Sequence, residues 1–306
     1  METVVATDGL TKQFGADRAV DDLSLTVNRG DIYGFLGLNG AGKTTTLRLL
    51  LGLLRPTAGG ISLFGANTRR GLRAARAKIG ALVEGPAFFG ALSGAANLRL
   101  LARLNGPVSN ERVEEVLDIV GLSHAGRKLT RAYSLGMKQR LGIAMALVRS
   151  PELVILDEPT NGLDPNGIHE MRALIHKLNA SEGVTFIISS HLLHEIEMVC
   201  SKVAILEHGR LIVEDQMEKL IGGTERHILE ASPTTVASHI IEEATGTAPH
   251  EDNVGLSFDM QADQLPDLVR SLTQANVDVR SLTPKSRSLE DFFLDRTRTQ
   301  TGGQLS

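Results

Sequence analysis

The feature that most constrains this chain is an apolar segment that runs directly into a glycine-rich loop. Residues 33–37 are apolar enough for a short buried strand, and the sequence GLNGAGKT follows at residues 37–44. An apolar helix is predicted from Lys43 to about residue 53. A strand, a glycine loop and a helix in this order are the context that a phosphate-binding loop requires.

The loop at 37–44 supplies the donors that a polyphosphate needs. Glycines let backbone N–H groups turn toward the ligand, and the amino end of the following helix adds positive potential. The Lys43 ammonium can reach the β- and γ-phosphates, and the Thr44 hydroxyl can ligate Mg²⁺. We therefore predict that the chain binds ATP·Mg²⁺ and hydrolyses it. The predicted ATP-binding residues of the loop are Asn39, Gly40, Ala41, Gly42, Lys43, Thr44 and Thr45.

A second apolar run, at 153–156, ends in two adjacent carboxylates. A buried strand would deliver Asp157 to the sheet edge, where its carboxylate can hold Mg²⁺ through water. Glu158 points differently and can polarise the attacking water. The alternative is an ordinary strand end with a solvated acidic pair, and the phosphate loop upstream argues against it. Similar runs at 184–189 and 203–206, with helices between them, indicate an α/β fold with a mainly parallel sheet.

The bulk properties of the chain limit its class. Its 306 residues suffice for one large and one smaller domain, and the net charge of −4 gives no basic footprint for nucleic acid. Cys200 is the only cysteine, so no intrachain disulfide forms, which fits a reducing compartment. No apolar run approaches the roughly 18 residues of a membrane span, and the start lacks the order of a signal peptide. The chain is therefore expected not to cross a membrane by itself.

The character of the sequence changes near residues 216–223. Two amphipathic helical stretches follow, at 234–244 and 265–275, with short strand-like runs around them. We predict an ATP-binding domain at 1–220 and a small α+β accessory domain at 221–306.

The segment YSLGMKQR at 133–140 distinguishes among the many kinds of phosphate-loop protein, because it lies just ahead of the strand at 153–156. With its motifs in this order, the chain resembles the ATP-binding-cassette (ABC) family over residues 4–213. The signature positions are Ser134, Leu135, Gly136 and Met137. The serine and the glycine match the family's LSGGQ-like form, and the other two depart from it. A serine N-cap and a glycine still present a helix amino end to an anion, although the segment taken alone would be a capped helix.

The resemblance implies a phosphate-loop ABC cassette. Such a cassette has a mainly parallel sheet core, an antiparallel β flank and a helical subdomain, here followed by the small α+β appendage. Strand-like runs at 4–7 and 22–27 fit the flank, and a helical stretch at 94–120, interrupted near 105–107, fits the subdomain.

Four further residues take roles from the resemblance. Leu163 and Asp164 lie in a D-loop-like segment, which helps to join two cassettes. His191 follows the strand at 184–189 and would reach the γ-phosphate, although a lone histidine at a strand end is more often structural. Phe14 occupies the position of an aromatic that stacks on adenine, which needs only a ring face. The alternative for Phe14 is a core residue of the flank.

Glu84 departs from the family pattern, because most members carry glutamine after the strand at 79–83. A glutamate keeps an oxygen for Mg²⁺, so the predicted metal ligands are Thr44, Asp157 and Glu84. Bacitracin-resistance and lantibiotic-immunity transporters resemble this chain in that glutamate, in length and in a C-terminal appendage. The run SLEDFFL at 288–294 resembles the closing helix of such subunits. Drift at a tolerant position is the alternative for Glu84.

The resemblance also implies a mechanism and partners. Two chains, as a homodimer in the favoured case, would close head to tail over two ATP molecules, with each signature serving the partner's nucleotide. Glu158, His191 and Lys43 would be catalytic, in a reaction that depends on positioning and charge neutralisation. A membrane permease would dock near the Glu84 loop, with Phe88 and Phe89 as candidate walls of the groove.

We therefore predict the ATP-hydrolysing subunit of an ABC transporter at the cytoplasmic face of the membrane, powering export of a peptide antibiotic or another toxic compound. Alternatives are an exporter of an ion, lipid or polysaccharide, or a soluble ABC ATPase that acts on nucleic acid or the ribosome. The interval between Lys43 and Ser134 is too short for the coiled coil of DNA-repair members, and only one cassette is present. A guanine-reading Asn-Lys-x-Asp motif is not recognisable, which argues against a regulatory switch.

Overall fold

The computed structural model describes residues 2–221, 225–251, 254–285 and 288–291. The chain divides into two compact units, Met1–Gln216 and Met217–Ser306, close to the boundary predicted at residue 220. Among the described residues, no helix combines the length and the apolar character needed to cross a bilayer.

The first unit alternates strands and helices along the chain. Its strands are β1 (Thr3–Phe14), β2 (Asp17–Asn28), β3 (Ile32–Leu36), β4 (Ala58–Leu63), β5 (Ile79–Leu82), β6 (Leu153–Asp157), β7 (Thr185–Ser190), β8 (Lys202–Glu207) and β9 (Arg210–Gln216). Its helices are α1 (Lys43–Leu51), α2 (Arg69–Arg76), α3 (Gly94–Ala102), α4 (Asn110–Ile119), α5 (Leu135–Leu147), α6 (Pro165–Glu182) and α7 (Leu193–Val199).

The central sheet of this unit has the order β5-β6-β7-β3-β8-β9, and every pair is parallel except β8 with β9. Its inner strands are apolar and buried on both faces, as parallel strands covered by helices must be. In register, Asp157 of β6 lies beside Ser189 of β7, and Ser190 lies beside Leu36 of β3. The carboxyl ends of three strands therefore meet at the edge where the glycine loop begins.

The antiparallel flank has the order β2-β1-β4, and its strands are longer than the sequence predicts. The runs predicted at 4–7 and 22–27 belong to strands of 12 residues each. Pairing of β1 with β2 shifts register between Thr7 and Leu10 and again beyond it. Such bulges break the two-residue alternation on which a sequence-based prediction depends. The flank shares one core with α1 and the central sheet.

Serine N-caps begin the helices of the helical subdomain. Ser93, Ser109 and Ser134 cap α3, α4 and α5, each accepting a hydrogen bond from a backbone N–H three residues later. The interruption predicted near 105–107 falls where a 3-10 turn at Arg103–Asn105 leads into Gly106, whose φ of 115° ends the helical path.

The second unit begins with α8 (Met217–Ile221) and continues as a β-α-β-β-α-β array. Its later elements are β10 (Glu225–Ser232), α9 (Thr234–Thr245), β11 (His250–Glu251), β12 (Leu256–Met260), α10 (Leu265–Gln274) and β13 (Asp278–Lys285). The sheet order β11-β12-β10-β13, with antiparallel neighbours throughout, is the ferredoxin-like arrangement. Leu229, Ile241, Phe258 and Leu272 belong to its core. Of the closing helix predicted at 288–294, residues 292–294 lie outside the described residues.

Candidate functional site

The glycine loop at 37–44 connects β3 to α1 and folds back around a lysine. Lys43 Nζ donates hydrogen bonds to the carbonyl oxygens of Gly37 at 2.6 Å and Leu38 at 3.3 Å. Gly42 caps α1 with a φ of 98°, and a Cβ built there would lie 2.3 Å from the carbonyl oxygen of Ala19. Only glycine fits this position, because a side chain would meet backbone that cannot move.

The Lys43 ammonium is buried, with 5% of its side chain exposed. Burial lowers the pKa of Lys43, while the carboxylates of Glu158 and Asp157 act in the opposite direction. Glu158 Oε1 lies 3.7 Å from the ammonium nitrogen. A buried cation whose ion pair with Glu158 is this long favours additional negative charge, which the phosphates of a nucleotide can supply.

Thr44 and Asp157 meet at the carboxyl edge of the sheet. The Thr44 hydroxyl donates to Asp157 Oδ2 at 3.0 Å, and the Ser189 hydroxyl donates to Asp157 Oδ1 at 2.5 Å. These are hard oxygen donors of the kind that Mg²⁺ prefers. Within the part of the chain that the structure describes, no group of three or more His, Cys, Asp or Glu side chains is placed to hold a metal ion without other ligands. A cation here would therefore take further ligands from phosphate and water.

Glu158 adopts a φ of 48°, which is a strained conformation for a non-glycine residue. Its backbone N–H donates to the Ser189 hydroxyl at 3.0 Å. Glu158 Oε2 lies 3.2 Å from His191 Nδ1 without hydrogen-bond alignment, and 3.4 Å from Asn161 Nδ2. These three side chains line a cavity of about 120 Å³, which is enough for a few water molecules.

Sequence-based reasoning did not single out Ser189, although this residue holds the Asp157 carboxylate and the backbone of Glu158. Its hydroxyl binds the side chain of Asp157 and the backbone of Glu158, and the residue is fully buried. The available signal was a polar residue at the end of an apolar strand, directly before Ser190 and His191. Small hydroxyl residues are common at strand ends, so that signal was weak.

The structure places Glu84 beside Arg48 rather than beside Thr44 and Asp157. Its carboxylate forms an ion pair with the Arg48 guanidinium of α1, and 61% of its side chain is exposed. Glu84 also adopts a φ of 67°, directly before Gly85. Two of the three predicted metal ligands therefore meet in this structure, and the third is paired with an arginine one helical turn beyond Thr44.

The signature segment and the D-loop-like segment form one surface. The Ser134 hydroxyl accepts a hydrogen bond from the Met137 N–H at 3.2 Å, and Leu135 is 46% exposed. A Cβ built at Gly162 would lie 3.0 Å from Leu135 Cδ2, so the two loops are in contact. Both segments line a cavity of about 480 Å³, which also includes Gly136, Leu163 and Asp164. Asp164 caps α6 through the Gly167 N–H at 3.0 Å.

Two of the aromatic residues with predicted roles, Phe14 and Phe89, have exposed rings. Phe14 is 48% exposed with Lys12 Nζ 4.9 Å from its ring centroid, so it does not belong to the flank core. Phe89 is 55% exposed, and Phe88 is half-buried. The Phe89 backbone is held by the buried Asn97, with hydrogen bonds of 2.8 and 3.1 Å. The Phe89 ring is thus presented on a fixed backbone.

Comparison with known proteins agrees with this geometry. The family described as "ABC transporter" matches residues 20–161. The bacitracin transport ATP-binding protein BcrA of Bacillus licheniformis is 42% identical over 298 residues, covering 96% of this chain and 97% of the relative. The chain belongs to the ABC transporter ATP-binding family. Members of this family bind nucleotide, hydrolyse ATP, form dimers and work with membrane permease subunits.

Two further relatives of this ABC protein match a smaller share of the chain. The lantibiotic transport ATP-binding protein SrtF of Streptococcus pyogenes is 40% identical over 210 residues, which is 68% of this chain and 89% of the relative. The solved structure of cbiO1 from Clostridium perfringens, part of an ABC transporter complex, has a TM-score of 0.66 at 28% identity. It covers 72% of this chain and 91% of its own. These relatives are transport proteins, so they do not support the alternative of a soluble ATPase acting on nucleic acid or ribosomes.

Proposed function

We propose that this chain powers the export of a peptide antibiotic, or of a similarly toxic amphiphile, through a separate membrane permease. The observation that supports this substrate class most directly is the match to the bacitracin transport protein, which extends over both units. The match to the lantibiotic transport protein points to the same chemistry. In this proposal the chain is peripheral and lies at the cytoplasmic face of the membrane.

The proposed nucleotide site consists of the glycine loop and the acidic edge of the sheet. The loop residues Asn39 to Thr45 would surround the phosphates with N–H groups, and Lys43 would exchange its two carbonyl partners for phosphate oxygens. Thr44 and Asp157 would hold Mg²⁺, because their oxygens already lie within 3.0 Å of each other. Phe14 would stack on adenine with its open ring face.

Hydrolysis in this site would depend on Glu158 and His191. The Glu158 carboxylate would orient and polarise the attacking water, and His191, 3.2 Å away, would contact the γ-phosphate. The positive φ of Glu158 and its backbone bond to Ser189 support this role, since strain at a residue held by its surroundings is a feature of catalytic sites. Glu84 would join the metal only after leaving Arg48.

The dimer in this proposal is a head-to-tail homodimer. The surface built from Ser134 to Met137 with Leu163 and Asp164 presents the amino end of a 13-residue helix with an exposed Leu135. In the dimer this helix end would contact the γ-phosphate held by the partner chain. An isolated monomer would consequently be a poor ATPase.

The permease in this proposal docks beside the Glu84 loop, where Phe89 and the half-buried Phe88 would form apolar walls of the groove. Phe88→Ala with Phe89→Ala should reduce permease-coupled stimulation of ATP hydrolysis and leave ATP binding intact. Co-purification with the permease at the wild-type level would remove these residues from the docking groove.

The substrate proposal is tested with the complete chain and its permease in membrane vesicles. Bacitracin or a lantibiotic should stimulate ATP hydrolysis several-fold, and co-expression should raise the inhibitory concentration of the same peptide in a sensitive host. The matched control is Glu158→Gln, which should abolish both effects while the complex still assembles. Stimulation by an ion, a lipid or a polysaccharide precursor, with none by either peptide, would overturn the proposed substrate class.

A further inference from the structure

A third cavity lies in the first unit, at the edge opposite the glycine loop. Its volume is about 570 Å³, and it lies between α2, the amino end of β5 and the carboxyl end of α5. Three arginines line it: Arg73 and Arg76 of α2, and Arg149 two residues after α5. Among the described residues that line this cavity, none is acidic.

The positive charge of this cavity is not neutralised within the described parts of the chain, where none of the three arginines forms an ion pair with a carboxylate. The acidic residue that follows Arg149 most closely in the sequence is Glu152, which is already bound to Arg29 at 2.6 Å and to Lys78 at 2.8 Å. The whole chain has a net charge of −4. This concentration of cations is therefore a local feature of α2 and the end of α5.

Arg76 is held in place before any ligand arrives. Its Nε donates to the Leu50 carbonyl oxygen at 2.9 Å, at the end of α1. A Cβ built at Gly52 would lie 2.5 Å from the guanidinium carbon, so the guanidinium packs directly over this glycine. Burial lowers the pKa of Arg76, because a charged group loses solvation there. An anion in the cavity would restore part of that lost stabilisation.

The carboxyl end of α5 would normally oppose an anion, since its free carbonyls carry partial negative charge. Here Arg112 donates hydrogen bonds to two of these carbonyls. Its Nη2 donates to the Leu147 carbonyl at 2.8 Å and its Nε to the Val148 carbonyl at 3.3 Å. The electrostatic objection to an anion at this helix end is therefore reduced.

We propose that this cavity binds a small phosphate-bearing anion, at a site separate from the nucleotide. Guanidinium groups match the geometry of phosphate oxygens and bind them in pairs. The volume lies within the range of roughly 300–1,000 Å³ that is typical of small-molecule sites. Three guanidiniums around one space suit a group with two or more negative charges.

The cavity is remote from the nucleotide site. Met145 lines it near the carboxyl end of α5, whereas Ser134, which would face the partner's nucleotide, caps the amino end about 16 Å away along the helix. Likewise, β5 starts at the cavity with Ile79 and runs toward Glu84 at its far end. A phosphate of a nucleotide bound at the glycine loop therefore cannot be the ligand.

The test uses inorganic pyrophosphate without Mg²⁺, on the full chain carrying Lys43→Ala so that the glycine loop is disabled. Calorimetry at 0.15 M salt, where charges more than about 8 Å apart are largely screened, should show saturable binding. Adding Arg73→Gln and Arg149→Gln should weaken it at least about tenfold. The matched control is Arg69→Gln with Arg70→Gln, which removes the same charge from the vicinity without touching the lining and should leave the affinity within about twofold.

Equal weakening by both double variants would overturn the proposal. Absence of saturable pyrophosphate binding would also overturn it, if Arg73→Gln with Arg149→Gln does not change binding to phosphatidylglycerol vesicles either. Arg149→Gln alone should also weaken pyrophosphate binding, by a smaller factor. Because Arg149 is exposed, this single variant tests the proposal if the double variant does not fold. With Lys43 intact, each variant should bind ATP like the wild type.

The phosphate could belong to a free metabolite or to a lipid headgroup, and a second measurement separates these sources. The full chain is sedimented with vesicles of phosphatidylglycerol and with vesicles of phosphatidylcholine. If the ligand is a free anion, Arg73→Gln with Arg149→Gln should not change the binding of the chain to either kind of vesicle. Binding to phosphatidylglycerol that this variant abolishes, without any binding of pyrophosphate, would overturn the free source in favour of a headgroup.

Discussion

The glycine-loop region and the signature region differ in how fully their side chains are engaged within the chain. Around the loop, Lys43, Thr44 and Asp157 are connected by hydrogen bonds of 2.5–3.3 Å to one another, to loop carbonyls and to Ser189. In the signature region the Ser134 hydroxyl accepts a hydrogen bond from its own helix, and Leu135 is exposed beside an open cavity of about 480 Å³. One half-site is thus organised in the monomer, and the other presents a surface for a partner.

The largest effect is expected from a substitution in the glycine-loop region. Glu158→Gln should slow hydrolysis by about 10²–10⁴-fold, since the amide cannot accept a proton from the attacking water. ATP binding should persist, because the lysine and the metal ligands are unchanged. Single-turnover assays and size-exclusion chromatography with ATP should show an accumulated ATP-bound dimer. Turnover near that of the wild type would remove Glu158 from the catalytic role.

A pair of glycine substitutions tests the signature region. Gly136→Ala has space, since its Cβ would lie 3.8 Å from Leu163, so the monomer should keep its melting temperature. The added methyl group would nevertheless obstruct a partner's nucleotide, and ATP hydrolysis should fall by about tenfold or more.

Gly162→Ala is the control, because this substitution should affect the stability of the fold. Its φ of 75° and its 3.0 Å approach to Leu135 should destabilise the fold by about 1 kcal/mol or more. Thermal unfolding and ATPase assays on both variants distinguish the two effects. A drop in the melting temperature of Gly136→Ala would mean that this glycine serves the fold rather than the dimer.

Ser189→Ala tests how the hydrogen bonds of the glycine-loop region contribute to activity. It removes the hydroxyl that binds Asp157 and the Glu158 backbone, so metal-dependent activity should fall by about 10–100-fold. Raising the Mg²⁺ concentration should recover part of the loss, which a purely structural defect would not allow. Ser190→Ala, at the next position, is the matched control and should have a smaller effect.

The smallest effect concerns Cys200, whose thiol is buried below β3 with Gly34 in close contact. Burial raises the pKa of Cys200, and the thiolate is the reactive form, so alkylation should require unfolding of the first unit. The unfolded thiol ionises from about pH 8.5 upward while the folded thiol does not. This contribution to stability is therefore present below that pH and declines above it. Rapid labelling of the native protein at pH 8 would contradict the buried environment.

The success of the sequence-based predictions varied with the range of the interactions. The strand, loop and helix around Lys43 follow from local patterns, and the structure has them, although α1 ends at Leu51 because Gly52 terminates it in the left-handed conformation. The short flank strands were predicted too short, since bulges hide the alternation. That Glu84 joins Thr44 and Asp157 at the metal stays a prediction. Its pairing with Arg48 could not be read from the sequence, because that contact joins the loop after β5 to α1 across the fold.

The sequence by itself determined the family, the phosphate loop and the order of its motifs, because these depend on residue types at short, fixed spacing. Only the tertiary structure decided which side chains meet. It joined Ser189 to the Asp157 carboxylate and to the Glu158 backbone, paired Glu84 with Arg48, and gathered Arg73, Arg76 and Arg149 around one cavity. Such contacts depend on the register of parallel strands and on helix packing, and both bring together residues that lie far apart in the chain.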